Sequence, residues 1–119
     1  MQITVLKSKI HRARVTGASV DYEGSMTIDA DLIAKVGMVP YEKILVGNMG
    51  NGERFETYVI AGPAGSGVVE LNGATAHLGK IGDQLTIMSY ALIDSSAGPE
   101  WKPKVVVLNE QNGIKTDRT

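Results

Sequence analysis

Lys43-Ile44-Leu45-Val46, Met49-Gly50-Asn51-Gly52 and Arg54-Phe55-Glu56-Thr57-Tyr58-Val59-Ile60 read in succession as strand, turn and strand. The first run is apolar after Lys43 and the last alternates, as a strand with one buried face does. Between them Gly50 and Gly52 offer positive-φ positions, so the segment predicts a hairpin. In its second strand, alternation puts Arg54 and Tyr58 on one face and Thr57 on the other.

The same pattern continues outward along the chain. Gly62-Pro63-Ala64-Gly65-Ser66-Gly67 ends the second strand and is expected to turn back, as a hairpin, into a short strand at 68–71. It is no phosphate loop, because it lacks the Lys-Ser/Thr pair such a loop needs. Further strands are predicted at 3–15, 84–92 and 105–109. One helix over 30–36 follows from Asp29 as cap, an apolar face of Leu32, Ile33 and Val36, and Gly37 as stop. A helical turn is expected at 74–77, after Asn72-Gly73. Residues 94–103 turn polar and contain proline, and 111–119, without a core pattern, are expected to form a mobile tail. Fourteen glycines and many short strands argue for a fold that is mainly β with short helices, closed into a barrel to protect its edges.

The 119 residues suffice for one domain with a single core. A net charge of −1 gives no cationic field for a polyanion, so no nucleic acid is expected as a partner. The basic run from Lys7 to Arg14 alternates with Ser8, Ile10 and Ala13, as one edge of a strand would. There is no cysteine, which excludes a disulfide framework, a thiolate metal site and a Cys nucleophile. His11 and His77 are the only histidines, and no Asp or Glu cluster joins them at zinc-ligand spacing, so no metal is expected. The Gly-x-Ser-x-Gly elbow of serine hydrolases is absent. No apolar stretch of signal-peptide or membrane-spanning length opens the sequence, so a cytoplasmic protein without a membrane partner is expected.

One motif remains, Tyr22-Glu23-Gly24-Ser25-Met26-Thr27-Ile28-Asp29, with a Gly-Ser step just before the helix start. Alone it is a turn and a cap. Three other segments change its meaning: Lys9-Ile10-His11-Arg12, Asn51-Gly52-Glu53-Arg54-Phe55-Glu56-Thr57-Tyr58, and Leu71-Asn72-Gly73-Ala74-Thr75-Ala76-His77. In order and interval the four together resemble the bacterial aspartate 1-decarboxylase family. That resemblance implies a double-psi β-barrel, a homotetramer with active sites between subunits, and conversion of L-aspartate to β-alanine for pantothenate synthesis. It also implies autocatalytic cleavage between Gly24 and Ser25 into chains 1–24 and 25–119. Residue 25 would become a covalent pyruvoyl group, a ketone that forms a Schiff base without pyridoxal phosphate.

Roles follow from the same resemblance. The Ser25 hydroxyl would attack the carbonyl of Gly24, whose backbone can hold strain, and Tyr58 would donate a proton to the substrate carbon after carbon dioxide leaves. Lys9 and Arg54 would bind the two substrate carboxylates, with the Arg fork suited to bidentate contact. Thr57, Asn72, Gly73, Ala74 and Thr75 would cradle substrate and the pyruvoyl end, and His11 and Tyr22 would complete the wall. Two residues depart from the family pattern: Thr75 stands where alanine is more usual, and Met26 where a small residue is common. Two other readings stay open, a pyruvoyl decarboxylase of another amino acid and a ligand-binding barrel that never cleaves.

Overall fold

The structure, a computed structural model, describes residues 1–119. Its longest strand, β1 (Gln2–Arg14), runs antiparallel to β7 (Gln84–Asp94). Val15 then accepts from the Gly82 N–H and donates to the Asp83 carbonyl, and the Thr16 N–H donates to the Val69 carbonyl. The chain thus leaves one neighbour and joins another without a break, becoming β2 (Gly17–Ser19) beside β6 (Val69–Asn72). From β6 the hydrogen-bonded order continues through β3 (Met26–Asp29), β5 (Arg54–Gly62) and β4 (Lys43–Asn48) back to β7. Because β1 and β2 are one bent strand, that circuit is closed.

The circuit maps onto itself when its first three strands are exchanged with its last three, β1–β2 for β5, β3 for β6 and β4 for β7. Each exchange carries one parallel pair, β2–β6, into the other, β3–β5. Two such interlocked parallel crossovers make the fold a double-psi β-barrel. Outside the circuit, β8 (Lys104–Leu108) lies parallel to β1, and β9 (Ile114–Arg118) pairs with β8.

The barrel interior holds Ile10, Met26, Ile28, Ile44, Val46, Val59, Leu71, Leu85 and Ile87, all at most 1% exposed. The short helix α1 (Ala30–Lys35) adds Leu32 and Ile33, and Val36 follows at its C-cap. Asp29 caps α1 as expected, its Oδ1 accepting the Asp31 N–H at 2.8 Å. The same carboxylate accepts the Gly65 N–H at 3.0 Å and the Gly67 N–H at 2.9 Å. Burial opposes ionisation of Asp29, but the N–H groups of Gly67, Asp31 and Gly65 outweigh it and hold the carboxyl below its usual range. No helix is long and apolar enough to cross a membrane.

Three expectations need correction. The glycine-rich loop at 62–67 is not a hairpin, because β5 and β6 pair with opposite sides of β3; it crosses the end of β3, where Asp29 clamps it. In the turn between β4 and β5, Gly52 has φ +78° whereas Gly50 does not have positive φ. Gly50 is small for another reason, since a Cβ there would lie 3.2 Å from both Asn48 Oδ1 and Asp83 Oδ1. The residues expected to form a mobile tail build β9 instead. Asn112, only 4% exposed, anchors the turn before it: its Nδ2 donates to the Arg14 and Gly67 carbonyls at 2.9 and 2.8 Å, and its Oδ1 accepts the Arg14 N–H at 2.8 Å.

Candidate active site

Gly24 and Ser25 lie in the bend that enters β3. The φ of Gly24 is +103°, a conformation that a side chain resists, and a Cβ there would come within 3.1 Å of Ile60 Cδ1. On one side, β3 pairs with β6 so that Met26 faces Leu71, and the Asn72 N–H donates to the Ser25 carbonyl at 2.7 Å. On the other, Met26 faces Val59 in parallel register. Extending that register by one residue beyond the paired positions sets Ser25 level with Tyr58, and by two sets Gly24 level with Thr57. The Ser25 hydroxyl makes no hydrogen bond within the chain, and Ser25 is half-buried.

The loop after β6 closes over this bend. Gly73, at φ +59°, begins a single 3₁₀ turn, Gly73–His77. A Cβ on Gly73 would lie 3.8 Å from the Gly24 carbonyl oxygen and 3.7 Å from that of Tyr22. The buried Thr75 donates its hydroxyl to the Asn72 carbonyl at 2.7 Å, and its Oγ1 is 3.5 Å from the Ser25 carbonyl oxygen. The Asn72 side-chain amide donates to Thr27 Oγ1 at 2.8 Å, and the backbone N–H of Asn72 is the group presented to residue 25. Ala74 and Tyr22 are exposed. Met26 is fully buried in the core, so its departure from the family pattern concerns packing.

The cations lie elsewhere. Outward positions of β1, β7, β4 and β5 form a row across the sheet, in which His11 faces Thr86, Thr86 faces Gly47 and Gly47 faces Arg54. Gly47 has no neighbour within 4 Å of where a Cβ would stand, and above it opens a hollow of about 350 Å³ lined by Lys9, Arg54, Asn48, Glu53, Thr86 and Met88 among others. Neither Lys9 nor Arg54 takes part in an ion pair. His11 Nδ1 is 3.2 Å from Thr86 Oγ1. Burial and then the nearby positive charges of Lys9 and Arg12 hold its imidazole below its usual range. His11 also lines a larger hollow of about 790 Å³ with Arg12, Arg14, Lys115 and Arg118.

Tyr58 and Arg54 share the outward face of β5 while Thr57 is half-buried on the inner one, as alternation predicted. Tyr58 is 37% exposed, and its ring packs 6.2 Å from that of Tyr41, tilted by 39°. Four residues of strand, roughly 13 Å, separate Arg54 from Tyr58. One chain therefore gathers Gly24, Ser25, Asn72, Gly73 and Thr75 at one place, with Tyr58 in register beside them, and Lys9 with Arg54 at another. Thr27, Tyr41, Gly47, Thr86 and Met88 were not singled out from sequence, because their places depend on register between distant strands.

A family profile described as Aspartate decarboxylase matches residues 1–115. The chain belongs to the aspartate decarboxylase family. Relatives in that family include the Aspartate 1-decarboxylase of Desulfotalea psychrophila, 53% identical over 111 residues that span 93% of each chain. That of Syntrophobacter fumaroxidans is 54% identical over 112 residues, 94% of this chain and 90% of the other. That of Bacillus licheniformis is 51% identical over 115 residues, 97% of this chain and 91% of the other. Among solved structures, the rationally designed mkDPBB_sym_86 protein is similar with a TM-score of 0.48 and 18% identity, over 70% of this chain and 91% of that one.

The bend fits a carbonyl cofactor carried on residue 25. The main-chain carbonyl of Ser25 is already fixed by the Asn72 N–H, so the atoms that would change are the Ser25 Cα, its nitrogen and its side chain, and the Ser25 N–H and hydroxyl are left without partners.

Proposed function

We propose that this protein decarboxylates L-aspartate to β-alanine and carbon dioxide, supplying pantothenate synthesis, with a pyruvoyl group made from its own Ser25. The observation that carries this reading is the Gly24-Ser25 bend in a chain of this family: a positive-φ glycine, an unbonded serine hydroxyl and a pinned serine carbonyl.

Ser25 Oγ attacks the Gly24 carbonyl and exchanges an amide for an ester. The backbone strain that a fold can hold at such a site, of order 1 to 3 kcal/mol, is relieved as the peptide opens. Loss of the Ser25 Cα proton and of the Gly24 carboxylate leaves a dehydroalanine at position 25, which water hydrolyses to the pyruvoyl group with release of ammonia. The products are chains 1–24 and 25–119.

A pyruvoyl group supplies a ketone that takes up the substrate amine and draws electrons from the breaking bond to the carboxylate. The chain's residues do the rest. Lys9 and Arg54, free of ion pairs, hold substrate carboxylates through charge-assisted bonds worth about 1.5 to 3 kcal/mol each. The Tyr58 phenol delivers the proton to the substrate carbon. Asn72, Gly73, Ala74, Thr75 and Thr57 line the cradle, with His11 and Tyr22 at its rim.

Because Ser25 and the two cations stand apart in one chain, a second copy completes the site, and we infer a homotetramer with active sites at its interfaces. The outward aromatic and apolar residues Tyr22, Tyr41, Tyr58, Tyr90 and Leu92, 37–77% exposed, give that assembly a surface to bury. A cytoplasmic location suits the substrate. Incubation with L-aspartate should yield β-alanine and carbon dioxide in equal amounts without added pyridoxal phosphate. Turnover of another amino acid in place of aspartate would overturn the substrate assignment.

A further inference from the structure

Thr75, where alanine is more usual in the family pattern, places a hydroxyl against the residue that is to be converted. Its side chain is buried, at 7% exposure for the residue, so bulk water does not readily replace it. Its one proton has two acceptors in reach: the Asn72 carbonyl at 2.7 Å, which holds it now, and the Ser25 carbonyl at 3.5 Å. The Ser25 carbonyl already accepts the Asn72 N–H at 2.7 Å.

That carbonyl is bonded to the Ser25 Cα, which matters for the second step of self-cleavage. Once Gly24 is esterified to Ser25 Oγ, a solvent water acts as base and removes the Ser25 Cα proton. The electron pair moves onto the Ser25 carbonyl oxygen, which becomes an enolate. It then returns to form the Cα–Cβ double bond as the Cβ–Oγ bond breaks and the Gly24 carboxylate departs. Negative charge thus appears on the oxygen that the Asn72 N–H and the Thr75 hydroxyl both face, and hydrogen bonds to charged acceptors are roughly twice as strong as neutral ones.

We propose that the Thr75 hydroxyl swings from the Asn72 carbonyl to the Ser25 carbonyl during this elimination and is the second donor that stabilises the enolate. Thr75 therefore speeds the ester-to-dehydroalanine step and not the attack of Ser25 on Gly24. The inference rests on the self-cleavage proposed above.

Freshly prepared full-length precursors of the wild type and of Thr75→Ala, Thr75→Val and Thr75→Ser separate these steps. Denaturing mass spectrometry follows cleavage with time, and hydroxylamine, which cuts esters, reports how much chain waits as the ester. One hydrogen bond corresponds to cleavage about two- to tenfold slower in Thr75→Ala and Thr75→Val, with a larger hydroxylamine-cut fraction, while Thr75→Ser stays near wild type. Cleavage of Thr75→Ala at the wild-type rate, or slower cleavage with no added ester, would overturn the role. If Thr75→Ala and Thr75→Val fail to fold, Thr75→Ser decides alone: a rate far below wild type counts against the hydroxyl. A wild-type precursor that never splits removes the underlying self-cleavage, a result distinguishable from any change confined to the Thr75 variants.

Discussion

The chain contains two Gly-Ser steps, Gly24-Ser25 and Gly65-Ser66, and they are held in opposite ways. Both glycines have positive φ, +103° and +76°, so glycine alone does not distinguish them. The difference is in the serines. Ser66 donates its hydroxyl to the Pro63 carbonyl at 2.5 Å and accepts the Val68 N–H at 3.3 Å, while Asp29 grips the N–H groups of Gly65 and Gly67 on either side. Ser25 is half-buried with a hydroxyl that bonds to nothing, and what is held is its carbonyl. A clamped loop with an occupied hydroxyl is a structural turn; a bend with a free hydroxyl and a fixed carbonyl is what the proposed self-cleavage requires.

The largest expected effect is all or none. Ser25→Ala should leave the chain at its full 119 residues, and Ser66→Ala should cleave like the wild type. Splitting of Ser25→Ala at the same bond, seen by intact mass, would erase the distinction between the two steps.

Tyr58→Phe keeps the ring that packs on Tyr41 but removes the proposed proton donor. On the proposed mechanism it should still cleave, since the phenol is assigned no step in opening the bend, while turnover falls about 10²- to 10⁴-fold. Normal turnover by the processed variant would end the assignment. Arg54→Ala should lose about ten- to two-hundredfold in kcat/KM for aspartate, the equivalent of one charge-assisted contact, again with normal cleavage. Near-normal kcat/KM would move the carboxylate contact elsewhere.

The hairpin of β4 and β5 was legible because its alternation is regular: Phe55, Thr57 and Val59 turn inward between Arg54, Glu56 and Tyr58. Helix α1 was legible for a similar reason, since Asp29 and Gly37 mark both ends. The crossover at 62–67 was not, because glycine and proline announce a turn without saying which strand it passes, and that is decided by the buried Asp29 carboxylate. Strand β9 was illegible too. It is an outer strand whose residues are mostly exposed, so it has no apolar pattern, and its place is set by backbone pairing and by Asn112. In the site, the resemblance named Lys9 and Arg54, but their shared hollow depends on Thr86 and Gly47, which meet them only through the register of four strands.

The clamp on the second Gly-Ser step gives smaller effects, on stability. Asp29→Ala strands three N–H groups and uncaps α1, which should cost about 2 to 3 kcal/mol in denaturant unfolding without preventing cleavage at Gly24-Ser25. Asp83 is held in the same manner, by hydrogen bonds from Asn48 and the Lys80 side chain and backbone, which outweigh burial and bring its carboxyl to about 2. Both carboxyls lie below the value of 3.8 expected when unfolded, so the unfolded chain takes up protons first as pH falls. The stabilisation from Asp83 is complete above about pH 4 to 5 and is lost toward pH 2, and that from Asp29 is lost in the same direction as pH falls. Asp83→Asn should flatten that acid limb in unfolding curves measured against pH; an unchanged slope would show that Asp83 does not carry it.

The most direct measurement is the denaturing intact mass of the wild-type protein after incubation. Two fragments of 24 and 95 residues, the larger beginning with a blocked pyruvoyl end and trapped by borohydride in the presence of aspartate, are the predicted result. A single chain of 119 residues that decarboxylates aspartate without ever dividing would contradict it.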